Sequence, residues 1–187
     1  MNLYLFGGSF NPPHLGHKEI IKHFMGSSDL FVISPSYQSP FKLNLPLVSF
    51  LHRKKMIKLM LDSFINEKFL IIDYEQNNKY LYTIETIKYL KKTYEDYSIH
   101  LIIGADQFNK LESWKDYQYI LDDVILNVVS RPGDVIKDSS IHYNYVDSIS
   151  IDTSSSFIRK NINRIENISK VIDERVLEYI LTNKLYN

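Results

Sequence analysis

Two histidines three residues apart, His14 and His17, stand just past a Gly-Gly pair in the stretch Gly7-Gly8-Ser9-Phe10-Asn11-Pro12-Pro13-His14-Leu15-Gly16-His17. If a helix begins near Pro13, this spacing puts both imidazoles on one side of its first turn, where they reach a single anion. The short apolar run Asn2-Leu3-Tyr4-Leu5-Phe6 leads directly into the pair of glycines. A strand that ends in a Gly-rich bend and then opens a helix exposes backbone N–H groups at the positive end of that helix, which suits a phosphate. Two other readings stay open. Gly7-Gly8 is also what a plain tight turn looks like, and His-x-x-His also suits zinc. Zinc would need its remaining ligands from scattered residues, because the chain has no cysteine and no H-E-x-x-H. The G-x-G-x-x-G and G-x-x-x-x-G-K-[ST] nucleotide motifs are both absent.

Gly8 to His17 resembles the H-x-G-H signature of the nucleotidyltransferase superfamily, G-[GT]-F-[DN]-P-x-H-x-G-H, with Ser9 as a conservative departure and Asn11 where Asp is more frequent. The resemblance implies transfer of a nucleoside monophosphate from a nucleoside triphosphate to a phosphate or hydroxyl acceptor, releasing pyrophosphate. Later stretches narrow the match: Tyr82-Thr83; Ile103-Gly104-Ala105-Asp106 with Trp114-Lys115 beyond it; Arg131-Pro132-Gly133; Ser154-Ser155-Ser156-Phe157-Ile158-Arg159; and Val176 to Tyr186. In this order and spacing they resemble the bacterial nicotinate-nucleotide adenylyltransferase family over essentially the whole chain. One loop departs. Where the family has P-N-x-x-P-P-H-K, this chain reads Pro35-Ser36-Tyr37-Gln38-Ser39-Pro40-Phe41-Lys42, with Ser36 in place of Asn.

The resemblance implies ATP and nicotinate mononucleotide as partners and assigns residues to each. Gly7, Gly8, Ser9 and Phe10 fall in the ATP loop, with His14 and His17 stabilising charge on the α-phosphate and the leaving pyrophosphate. Ser154, Ser155, Ser156 and Arg159 form a second clamp on the triphosphate, Arg159 counting with the histidines as catalytic. Serine is also a favoured helix N-cap, so for each serine capping alone is the competing account. Gly104 and Asp106 match contacts to the nucleotide ribose. A glycine lets a ligand approach the backbone and a carboxylate accepts from ribose hydroxyls, although Asp106 could equally cap the next short helix. Trp114 matches a residue that stacks on the pyridine ring, with simple packing as its alternative, and Lys42 matches a further substrate contact. Thr83 matches a contact to the nicotinate carboxylate, or it caps a helix.

A phosphate monoester acceptor is already ionised at pH 7, so no general base is required. Positioning and charge neutralisation must supply the rate, which fits a site of His, Lys, Arg and N–H groups without paired carboxylates. Mg2+ is expected with ATP, resting mainly on phosphate oxygens and water, and no metal ligand is assigned. Other acceptors within the same chemistry are nicotinamide mononucleotide and a pantetheine phosphate. A different class is a nucleotide-binding sensor that kept the fold without the reaction; the intact His14, His17, Ser155 and Arg159 argue against it.

The elements that must hold these residues alternate along the chain. Strands are expected near 2–6, 29–34, 69–73, 98–103, 124–130 and 143–147, and helices near 15–25, 49–64, 83–94, 115–121, 155–162 and 173–183. This predicts an α/β, Rossmann-like doubly wound parallel sheet, the nucleotidyltransferase fold, as one domain spanning 1–187 with its crevice at the carboxyl ends of the strands. In the helix from Ser49, the residues Leu51, Met56, Leu59, Met60 and Phe64 are expected to face inward, and Arg53 is the one basic residue there with a phosphate contact as a second reading. The segment from Asp134 to Asn144 is the least patterned. Lys+Arg and Asp+Glu balance at 22 each, which argues against nucleic-acid binding as the main task. With no apolar run near the roughly 18 residues a membrane span requires, no basic-flanked leader and no cysteine, a cytoplasmic location without a membrane partner is expected. Monomer and homo-oligomer are both compatible with this reading.

Overall fold

Leu3, Tyr4, Leu5 and Phe6 leave the first strand without a polar face, and all four are buried. Such a strand must be covered on both sides. In the computed structural model, which describes residues 1–38, 48–64, 68–79, 82–137, 140–147 and 153–186, that strand is β1 (Asn2–Gly8). It is followed by β2 (Leu30–Pro35), β3 (Phe69–Ile71), β4 (Ser98–Gly104), β5 (Ile125–Val129) and β6 (Asn144–Val146). They form a six-stranded sheet of order β3-β2-β1-β4-β5-β6 in which every pairing is parallel. Gly7 and Gly8 stand opposite Ser34 and Pro35, while Phe6 stands opposite Ile102 on the other side. The order reverses between β1 and β4, and an open parallel sheet leaves its ligand crevice at such a reversal, beyond the carboxyl ends of the strands.

The helices are α1 (Leu15–Met25), α2 (Phe50–Met60), α3 (Tyr74–Asn78), α4 (Thr83–Thr93), α5 (Ala105–Phe108), α6 (Tyr117–Asp123), α7 (Ser155–Lys160), α8 (Ile165–Ile168) and α9 (Glu174–Thr182). Strand alternation divides the apolar residues between two layers. Tyr4, Phe6, Phe31 and Ile33 meet Ile21, Phe24, Met56, Met60, Ile158 and Ile180 from α1, α2, α7 and α9. Leu3, Leu5, Val32, Leu101 and Ile103 meet Ile84, Ile87, Leu90, Phe108 and Ile120 from α4, α5 and α6. The expected doubly wound sheet is therefore present.

Several boundaries differ from the expectation. The helix expected over 49–64 stops at Met60, and a 3-10 turn covers Asp62–Phe64, where Asp and Ser are weak helix formers. Its buried face is Phe50, Arg53, Met56, Ile57 and Met60, which leaves Leu51 77% exposed. An arginine takes the inward position that hydrophobic periodicity gave to a leucine. The short α3, α5 and α8 were absent from the expected pattern because four or five residues do not display a full helical period.

The end of α9 bends the chain back on itself. The N–H of Leu185 bonds the carbonyl of Ile180 at 3.0 Å and that of Lys184 the carbonyl of Leu181 at 3.2 Å, with Lys184 left-handed at φ 50°. This pair of bonds is the Schellman arrangement, and it buries Leu185 against the α1 and α2 layer. A left-handed lysine costs roughly 1 kcal/mol that glycine avoids. Lys184→Gly should therefore raise unfolding stability by about 0.5–1 kcal/mol, read as a higher urea midpoint at unchanged slope.

Candidate active site

Between β1 and α1 the chain makes an irregular excursion in which Phe10, Asn11, Pro12, Pro13 and His14 are all buried. Buried backbone outside regular structure must find hydrogen-bond partners elsewhere. The two prolines remove two donors that would need satisfying. Four carbonyls are met one by one: Gly8 by the N–H of Ser36 at 2.9 Å, Ser9 by Arg53 Nη1 at 2.8 Å, Asn11 by Arg159 Nη1 at 2.7 Å, and Pro12 by the Ser155 hydroxyl at 2.8 Å. Phe10, left-handed at φ 47°, sets its ring edge-on to Phe6 with centroids 5.6 Å apart.

This loop delivers His14 as the N-cap of α1. The His14 and His17 rings lie side by side with centroids 3.7 Å apart, as the i, i+3 spacing predicts. The His14 backbone N–H donates to His17 Nδ1 at 3.2 Å. That bond makes Nδ1 the acceptor and assigns the neutral ring's proton to Nε2. His14 is 2% exposed, and its Nδ1 is buried without a hydrogen-bond partner among the described residues. Burial first, and then the positive charge of Arg131, lower its pKa to about 3. His14 is thus neutral at pH 7, and an anion placed against it would oppose that bias.

A cavity of about 530 Å3 opens over this point, within the range of small-ligand sites. Its wall includes Gly7, Gly8, Ser9, Phe10, His14 and His17 from the loop, and Gly104, Asp106, Ser154, Ser155, Ser156 and Arg159 from the β4 and α7 side. Thr83 and Trp114 line it as well, so every expected site residue that the structure describes faces one cavity. Lys42 lies outside the described residues. A Cβ at Gly104 would come within 2.9 Å of Asp106 Oδ1, so a larger residue there requires the Asp106 carboxylate to shift.

The open alternatives resolve residue by residue. Ser154 caps α7, accepting from the Phe157 N–H at 3.1 Å, whereas Ser155 bonds Pro12 and Ser156 accepts from Arg159 Nη2 at 3.1 Å. Asp106 does not cap α5; Gly104 is the N-cap, and the Asp106 side chain takes a 2.9 Å bond from Gln107 Nε2. Thr83 is likewise the first residue of α4, with Tyr82 as N-cap and no side-chain cap bond. Trp114 packs on the α4 and α5 layer and also lines the cavity, and its indole N–H has no partner among the described residues. The phosphate reading of Arg53 is overturned. At 2% exposure its guanidinium is spent on the carbonyls of Ser9 and, at 3.1 Å, Val48.

Among the residues of the cavity wall that the sequence reading did not assign to the site, two carry charge next to it or hold its frame, Arg131 and Glu75. Arg131 brings a guanidinium close enough to act on His14, and its Arg-Pro-Gly turn was the available signal. Glu75, on the short α3, is buried and accepts from Ser34 Oγ at 3.0 Å and Thr86 Oγ1 at 3.1 Å, which ties β2 to α4 at the Thr83 end. Burial raises its pKa against the opposing effect of these bonds. Nothing in its sequence neighbourhood marked it.

The cytidylyltransferase-like family model matches residues 5–161. A protein of Borrelia garinii subsp. bavariensis named "Probable nicotinate-nucleotide adenylyltransferase" is 35% identical over all of this chain and 95% of its own length. A like-named protein of Leptospira interrogans is 34% identical over 98% of this chain and 96% of its own. The chain belongs to the nicotinate-nucleotide adenylyltransferase family. Nicotinic acid mononucleotide adenylyltransferase of Plasmodium falciparum, solved with NaAD, shares the fold at a TM-score of 0.85 and 21% identity, covering 99% of this chain and 97% of that one. A second structure of that enzyme, complexed with APC, superposes at 0.83 over 99% of this chain and 96% of its own. This member of the nicotinate-nucleotide adenylyltransferase family thus combines the family sequence with the fold that carries its cavity.

The low pKa of His14 has a consequence for stability. Between pH 6.5 and about 3 the unfolded state binds a proton at this position that the folded state excludes, so stability falls as pH is lowered through that window. The limiting slope from this residue is about 1.4 kcal/mol per pH unit. His100, whose pKa burial also lowers, acts in the same direction. Urea unfolding at pH 7, 6 and 5 should show this decline, and His14→Gln should make it shallower.

Proposed function

We infer that the protein transfers the adenylyl group of ATP to nicotinate mononucleotide, giving nicotinate adenine dinucleotide and pyrophosphate, a step of NAD synthesis. The observation that carries this reading is the single cavity in which the histidine pair, the Ser-Arg segment of α7 and the Thr83 and Trp114 end meet, in a chain related over its whole length to proteins of that name. An oxygen of the acceptor phosphate attacks the α-phosphorus, and the bond to the bridging oxygen of the β-phosphate breaks as pyrophosphate leaves. No proton has to be removed, so the residues act by placement and charge.

In this scheme His14 and His17 present ring N–H groups to the α- and β-phosphates at the start of α1, whose dipole adds to them. Arg131, in the turn after β5, and Arg159, on α7, flank the same anion. Arg159 is already fixed by Asn11 and Ser156, so little side-chain freedom remains to be lost on binding. At the other end the N-terminus of α4, at Thr83, favours a negatively charged carboxylate over a neutral amide, while Trp114 offers a flat apolar surface to a pyridine ring.

Among the described residues no three His, Cys, Asp or Glu side chains cluster, and the carboxylates lining the cavity are Glu75 and Asp106 alone. This donor set fits Mg2+ that arrives on ATP and is held by phosphate oxygens and water rather than by a protein cage. When bound, the metal neutralises charge on the phosphates. No helix of the described residues is long and apolar enough to cross a membrane; small-molecule substrates of this kind fit a cytoplasmic enzyme.

Pyrophosphate release from Mg-ATP should be fastest with nicotinate mononucleotide when it, nicotinamide mononucleotide and phosphopantetheine are assayed side by side. Tight ATP binding without turnover on any of them would instead identify a sensor. His17→Ala should lower kcat by about 100- to 1000-fold with a much smaller change in KM, as expected for a group that acts on charge developing in the transition state.

A further inference from the structure

Tyr186 is 175 residues from Asn11 in sequence, yet its hydroxyl donates to Asn11 Oδ1 at 2.8 Å. The Schellman turn after α9 brings it there. Lys184 and Tyr186 are both left-handed, at φ 50° and 68°, a conformation that non-glycine residues keep only where their surroundings hold them. Leu185 between them is buried and anchors the tail. The phenol then lies close to two guanidiniums, Arg53 and Arg159, each of which bonds a carbonyl of the signature loop. Burial pushes the Tyr186 pKa above its ordinary value despite these two charges, so the hydroxyl remains protonated and donates.

We propose that Tyr186 is a positioning residue for adenylyl transfer: its hydrogen bond to Asn11 fixes the turn that carries His14 and His17 into the cleft. Asn11 is 3% exposed, and its Oδ1 also receives the Val48 N–H at 3.4 Å while its backbone carbonyl receives Arg159. Between Asn11 and His14 stand only Pro12 and Pro13, whose rings fix φ. A shift at Asn11 is therefore passed along a stiff arm to His14. Misplacement of a catalytic group by about 1 Å is enough to cost about 100-fold in rate. Tyr186 touches no reacting atom in this scheme and acts through Asn11.

The inference rests on the adenylyltransferase reading for its kinetic consequence, but not for its structural one. Tyr186→Phe keeps the ring and removes the donor. Its kcat for pyrophosphate release should fall about 10- to 100-fold while KM for ATP stays within about threefold. Amide hydrogen exchange should accelerate in the segment from Ser9 to His17 and not in the sheet. A double-mutant cycle locates the effect: in an Asn11→Ala background, which has lost the acceptor, Tyr186→Phe should change neither kcat nor exchange further. Asn11→Ala also tests the bond from its other end should Tyr186→Phe prove unstable by thermal melting. A kcat within twofold of wild type with unchanged loop exchange, faster exchange across the whole sheet, or additive effects in the cycle would overturn the proposal. If the wild-type protein turns over none of the acceptors, the adenylyltransferase reading fails, and the exchange measurements still decide whether Tyr186 holds the loop.

Discussion

A loop buried at the edge of a parallel sheet has no ladder to bond to, and this protein's central problem is to place such a loop without leaving its backbone unsatisfied. Its solution is to spend strong donors on carbonyl oxygens. Two arginines, a serine hydroxyl and a backbone N–H occupy the carbonyls of Gly8, Ser9, Asn11 and Pro12, and they arrive from three separate parts of the chain: the end of β2, α2 and α7. Charge-assisted bonds of this kind are about twice as strong as neutral ones. Arg53 shows the cost of the arrangement: a guanidinium with 2% exposure has given up its water, and it is tolerable because carbonyls and the nearby Glu75 replace that water.

The same economy organises the electrostatics of the cleft. The chain has a net formal charge of +0, so attraction for a polyanion has to be local. Arg131 and Arg159 supply it on one wall, and the start of α1 supplies it at the base. His14 is held neutral by burial and by Arg131, which keeps like charges from accumulating at the base of the cleft. Substrate phosphate brings the compensating charge with it, so the favourable interaction strengthens as the anion arrives.

Much of this was legible in the sequence because the residues expected at the site sit at element junctions, where glycine, serine and proline leave plain marks. Gly7-Gly8, Gly104 and Ser154-Ser155-Ser156 each end a strand or open a helix, and the family resemblance and the hydrophobic period agreed on where those junctions fall. What escaped was the support beneath the site. Arg53 looked like one charge in a basic cluster on a helix, because periodicity assigns inward positions to apolar side chains and cannot anticipate a cation needed by distant carbonyls. Glu75 lies on a helix too short to show a pattern, and its partners Ser34 and Thr86 are brought to it only by the sheet order. Thr83 and Asp106 were open to a capping role on composition, and the backbone settled against it by placing the caps one and two residues earlier.

The reach of Tyr186 back to Asn11 also bears on how the protein is made. A chain growing from its amino end completes all six strands of the sheet before α9 and its turn exist. The loop after β1 therefore waits for Tyr186 before its hydrogen bonds are complete. Contacts of such long sequence separation form late because the intervening chain must be ordered first. A protein lacking the turn after α9 would then hold a formed sheet around a loosely held loop, so catalytic competence would be acquired only once that turn is made.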